Sequence, residues 1–170
     1  FTKYPVYCFF LSFAVWAGAQ AGPAADAKPF SDKADNKYSV QIGPYAHHWA
    51  ARDPEDRDVF LLGVEREHAN GKLDGIAFFS NTFGQESVYV FPWVWVYKNI
   101  YGISKLHFKW TAGVIYGYKP PFDDKVPLNY KGFSPGVVPA LTYAFSPKWS
   151  GQLNLLGTQG VMLQINVPLN

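Results

Sequence analysis

Few side chains in this sequence have the chemistry to act on a substrate. Histidine is the side chain most often used as a general acid or base, and the chain has four, His47, His48, His68 and His107. There is no carboxylate pair, no histidine cluster at metal-ligand spacing and no glycine-rich phosphate loop. What remains is histidine with hydroxyls and amides. His47 and His48 precede the charged stretch "RDPEDRD", and the later stretch "SNTFGQES" holds Ser80, Asn81, Thr82 and Ser87. A histidine acting as general base on an acceptor hydroxyl, with polar donors holding an oxyanion, is the minimum set for acyl transfer. Neighbours on a strand point to opposite faces, so only one of the two adjacent histidines can serve a given site.

The elements that must position these residues read as β throughout. From Lys37 onward Val, Ile, Tyr, Phe and Trp are dense and turn residues recur at short intervals. The predicted strands are 38–49, 57–68, 72–83, 86–98, 104–118, 134–145, 148–156 and 159–168. Asn70-Gly71 is a two-residue hairpin signal, and no segment holds a helical period. Eight long strands form an even set that closes into an antiparallel barrel without edges, as a bilayer requires. The predicted fold is therefore all-β, an eight-stranded antiparallel transmembrane β-barrel over 38–170. With strands running alternately up and down, the end of the first strand shares a rim with the turn between the third and fourth. His48 and the Ser80–Ser87 cluster can meet there.

The run "SVYVFPWVWVY" (87–97) is apolar on both alternating faces. That predicts an apolar lumen as well as an apolar outer wall, either packed solid or holding an acyl chain. Pro44 lies inside the first strand, and Pro135 and Pro139 lie inside the sixth. Proline cannot donate to a ladder, so these positions predict gaps in the wall.

Composition fits the same setting. Charged residues are 16% of the chain against an ordinary value of about 25%. Net charge is +2 with scattered basic residues, which excludes a nucleic-acid footprint. Residues 1–21, with Lys3 ahead of "PVYCFFLSFAVWAGA", read as a secretory signal peptide. Cys8, the single cysteine, would leave with it. Residues 22–37 read as a linker or short helix.

Three stretches, "HWAARDPEDRDVFLLGVERE", "GIAFFSNTFGQESVY" and "SPGVVPALTYAF", resemble the lipid A palmitoyltransferases of the PagP type, in a divergent branch. The resemblance spans roughly residues 38–168. It implies a monomeric outer-membrane barrel with a short amphipathic helix ahead of it and an apolar lumen that measures acyl chains. It implies transfer of a palmitoyl chain from a phospholipid donor to a lipid A acceptor, without a cofactor. It implies that His48, Asn81, Thr82 and Ser87 are the catalytic residues, and that Pro44 and Pro139 open the wall to lipid. The Asp-Ser pair of the main branch is Asn81-Thr82 here. Two other classes stay open: a lipid A deacylase, disfavoured because no H-x-S occurs, and a non-enzymatic barrel for small apolar compounds.

Overall fold

Each of the eight segments dense in β-branched and aromatic residues forms a strand. The computed structural model describes residues 36–49 and 57–169. The strands are β1 (Lys37–His48), β2 (Leu61–Glu67), β3 (Leu73–Ser80), β4 (Glu86–Tyr97), β5 (Leu106–Tyr116), β6 (Phe133–Ser146), β7 (Trp149–Leu155) and β8 (Gly160–Pro168). They pair in sequence order, and β8 closes on β1 to complete the barrel. All ladders are antiparallel. No α-helix occurs among the described residues. The expected signal peptide (1–21) lies outside them, as does nearly all of the expected linker or short helix (22–37), although Lys37 begins β1.

Several sequence expectations need correction. The third predicted strand ends at Ser80 rather than at residue 83, because Asn81 opens a turn. Asn70-Gly71 does not make a two-residue turn. The His68 N–H reaches the Lys72 carbonyl, and only Gly71 takes a positive φ, of 79°. A two-residue type I′ turn needs positive φ at both centres, so the chain uses the longer loop with glycine in the left-handed position.

A larger correction concerns 87–97. The β4–β5 register shifts between Val90 and Trp93. This bulge at Phe91-Pro92 adds a residue and reverses the alternation. Ser87, Tyr89 and Phe91 face inward before it, and Val94 and Val96 turn inward after it. Trp93, Trp95 and Tyr97 therefore face outward. The segment is apolar on both faces, as expected, but the bulge gives the tryptophans and Tyr97 to the outer wall and Tyr89, Phe91, Val94 and Val96 to the lumen.

The lumen has two kinds of filling. Toward the rim ends of β2 to β5, Ala77, Tyr89 and Phe91 form a buried cluster with Leu61, Phe79, Val94, Ile115 and Val138 against it. Large rings sit over glycines. A Cβ on Gly75 would lie 2.3 Å from the Phe91 ring, and one on Gly136 would lie 2.9 Å from the Tyr89 ring. Toward the other end the lumen is polar. Lys109 donates to Glu65 in a buried ion pair, and Gln41 also donates to Glu65, at 3.3 Å. Gln152, Asn154, Gln164 and Asn166 bond to one another across β7 and β8. The lumen is thus not apolar throughout, as the sequence led one to expect.

The outer wall is the reverse. Leu62, Val64, Ile76, Val90, Val114, Val137, Leu163 and Ile165 are all exposed. Aromatic residues flank them at both ends, with Phe60, Phe78 and Phe133 near the rim and Tyr97, Phe145 and Trp149 opposite.

Candidate functional site

The second β-bulge decides which histidine faces inward. The β1–β8 register shifts between Ile42 and Tyr45, across Gly43-Pro44. Before the shift Gln41 and Gly43 face the lumen, and after it Ala46 and His48 do, paired with the inward Met162 and Gly160. His47 points outward, edge-on to Trp49 at 5.4 Å. Gly160 is demanded by this close approach. A Cβ there would lie 2.0 Å from the His47 carbonyl oxygen and 2.9 Å from the His48 Cα.

His48 ends β1 at the rim. Its Nε2 lies 2.9 Å from the Thr82 hydroxyl oxygen, in the turn between β3 and β4. The turn is fixed from inside. Asn81 is 1% exposed. Its Oδ1 accepts the N–H of Phe83 at 3.0 Å and of Gln85 at 2.9 Å. The Arg57 N–H then donates to the Thr82 carbonyl at 2.7 Å, which holds the turn from the β2 side.

The structure therefore separates the four residues expected to act together. His48 and Thr82 meet. Asn81 is committed to the turn that presents Thr82. Ser87 is 2% exposed and donates to the Gln85 carbonyl at 3.2 Å. Gly117 packs so closely on Ser87 that a Cβ there would lie 2.2 Å from its hydroxyl. Ser87 is a packing and turn residue in this arrangement.

Gln85 carries a role that no sequence signal announced. Its side chain accepts the Lys119 N–H at 3.1 Å and donates to the Lys119 carbonyl at 3.0 Å. This ties the β3–β4 turn to the long β5–β6 loop. Phe83 stacks on Phe122 at 4.3 Å and meets Tyr118 edge-on at 6.4 Å, so the two loops form one cap. Burial pushes the Tyr118 phenol up to about 12, which keeps it neutral within the cap.

The prolines stand where ladders stop. β1 pairs with β2 only as far as Gly43, so Pro44 begins a stretch to His48 that has no β2 partner among the described residues. β6 pairs with β7 only from Ala140 onward, so Phe133–Pro139 runs past the top of β7. The β5–β6 register is unbroken. The Ala144 N–H donates to Lys105, on the β5 side, so odd-numbered residues of β6 turn their backbone groups toward β7. Pro135 and Pro139 are odd. Of the three odd positions 135, 137 and 139 on this edge, only Val137 retains an N–H. Both unpaired stretches lie at the rim end among the described residues, and on the β6 edge the two prolines leave Val137 as the one N–H of the three odd positions.

The remaining histidines lie elsewhere. His68 and Arg66 both bond to Asp74 near the opposite end, at 2.7 Å and 2.8 Å. His107 accepts the Asn99 N–H at 3.2 Å. No group of three metal-binding side chains occurs among the described residues. Comparison with known proteins adds no name to this geometry: no protein-family model matches the chain, and no curated protein matches it.

Proposed function

We propose that this protein is an acyltransferase of a bacterial outer membrane, moving a long acyl chain from a phospholipid to a hydroxyl of lipid A. The observation that carries this reading is the lumen-side His48 bonded to Thr82 at the rim, with wall openings edged by Pro44 on one side and Pro135 and Pro139 on the other. The apolar outer wall with aromatic residues toward both ends supports membrane residence.

In this reading Thr82 orients the imidazole. When Nε2–H donates to the Thr82 oxygen, the Nδ1 lone pair is left as the base. His48 takes the proton of the acceptor hydroxyl as that oxygen attacks the donor's ester carbonyl. The tetrahedral intermediate collapses by breaking the bond to the glycerol oxygen. His48 returns the proton to that oxygen, and a lysophospholipid leaves. No cofactor is required by this sequence of bonds.

Mass spectrometry of lipid A from cells making the wild type or His48→Ala tests this. One added long acyl chain with the wild type alone is the expected result. Unchanged lipid A with a folded wild-type barrel would reject it. A non-enzymatic barrel is the second reading. It is favoured by the lumen itself, which Tyr89, Phe91 and the polar side chains fill on several sides.

A further inference from the structure

We infer that Ser134 is a lipid-binding residue, whose hydroxyl donates to an ester carbonyl of a lipid in the β6–β7 opening. The inference rests on the lipid-handling reading above. It names a contact that neither the rim histidine nor the prolines supply.

Ser134 is 2% exposed, and its Oγ is the one buried side-chain nitrogen or oxygen without a hydrogen-bond partner among the described residues. Buried hydroxyls almost always find partners, because an unpaired one carries its full desolvation penalty. Its place in the wall accounts for the exception. Ser134, Gly136 and Ala140 are buried inward positions of β6, whereas Phe133, Val137 and Leu141 are exposed outward ones. Ser134 lies in the part of β6 that has no β7 partner. It therefore lies on the inner lip of the opening, near the rim.

The surroundings select the ligand chemistry. Ser134 pairs with Ile115 on β5, and Tyr89 lies next across the wall, its own hydroxyl already engaged by Thr111 and the Gly136 carbonyl. This environment is apolar and Tyr89 has no free donor to offer. A neutral carbonyl enters such a site at far lower cost than a charged phosphate. Ser134 supplies an O–H donor and no competing acceptor is in reach. Val137 adds the single free N–H on the strand edge outside it. The carbonyl of an ester at the head of an acyl chain matches the Ser134 donor, while Val137, three residues or roughly 10 Å along the strand, is left for a different acceptor.

The test uses the full-length barrel in detergent, as wild type and Ser134→Ala. The probes are a diacyl phospholipid and its dialkyl ether analogue, which lacks both carbonyls. Calorimetric titration should show Ser134→Ala weakening the diacyl lipid about five- to tenfold, tenfold corresponding to about 1.4 kcal/mol, and leaving the ether lipid unchanged. Without lipid, the variant should unfold at the same or a higher temperature, since it removes an unpaired hydroxyl. Equal weakening for both lipids would make Ser134 a packing residue and overturn the inference, as would no change for either. The ester-specific difference in a wild type that transfers no acyl chain would sink the acyltransferase reading and uphold the Ser134 contact.

Discussion

The His48 Nε2 and the Thr82 Oγ1 lie 2.9 Å apart, which joins the last residue of β1 to the turn after β3. Among the described residues this is the one hydrogen bond made by the imidazole. Removing the hydroxyl by Thr82→Ala should leave the ring free to rotate. A loss of transfer of about 10²-fold follows if His48 is the base, since a small misplacement of a catalytic group has that scale of effect. Thr82→Ser retains the oxygen and should retain most of the rate. Rates on purified protein in detergent micelles check this. Equal rates for Thr82→Ala and wild type would remove Thr82 from the site.

Asn81 should separate from Thr82 in the same assay. Its Oδ1 accepts two backbone N–H groups within a buried turn. Asn81→Ala leaves both without that acceptor, at a cost of about 1–3 kcal/mol. The expected outcome is a lower unfolding midpoint in urea. Asn81→Asp keeps the acceptor oxygen and should hold the turn. A catalytic role for the amide predicts the opposite pattern, with both variants stable and both inactive.

The number, order and closure of the strands were legible because aromatic and β-branched runs alternate with turn residues throughout the chain. The place where Pro44 and Pro139 interrupt pairing was legible too, since proline removes a ladder donor. Which face a residue takes was less legible. The bulges at Gly43-Pro44 and Phe91-Pro92 each add one residue, and one residue inverts every face beyond it. Each bulge does contain a proline, so a signal was present. The polar filling of the lumen was hidden for a different reason. Gln152, Asn154, Gln164 and Asn166 alternate with apolar residues as in any half-wet strand, and only closure buries them. Ser87 looked like a rim hydroxyl because nothing in the sequence announced that Gly117 would cover it.

The buried pair of Lys109 and Glu65 gives a stability prediction. Both side chains are at most 10% exposed, and Gln41 donates to the same carboxylate. Lys109→Met should destabilise the barrel by about 3–5 kcal/mol, because it leaves a buried carboxylate without its cation. Adding Glu65→Gln to that variant should restore most of the loss, since the neutral amide still accepts from Gln41. Urea unfolding of the two variants beside wild type decides it. A single variant as stable as wild type would show that water reaches Glu65 freely.

The opening beside β6 makes a prediction at one backbone amide. Odd-numbered residues of β6 turn toward β7, and β7 supplies partners only from Ala140 onward. Val137 therefore holds an N–H that no strand receives, while those of Leu141 and Tyr143 lie within the β6–β7 ladder. Amide exchange tracks the opening of hydrogen bonds. Val137 should exchange at least about tenfold faster than Leu141 in NMR hydrogen–deuterium exchange on the barrel in detergent. Adding a diacyl phospholipid should slow Val137 and leave Leu141 as it was, if a carbonyl takes up the free donor. Equal and slow exchange at both positions before any lipid is added would mean that the wall is closed there, and that Pro135 and Pro139 end a ladder without opening a route through it.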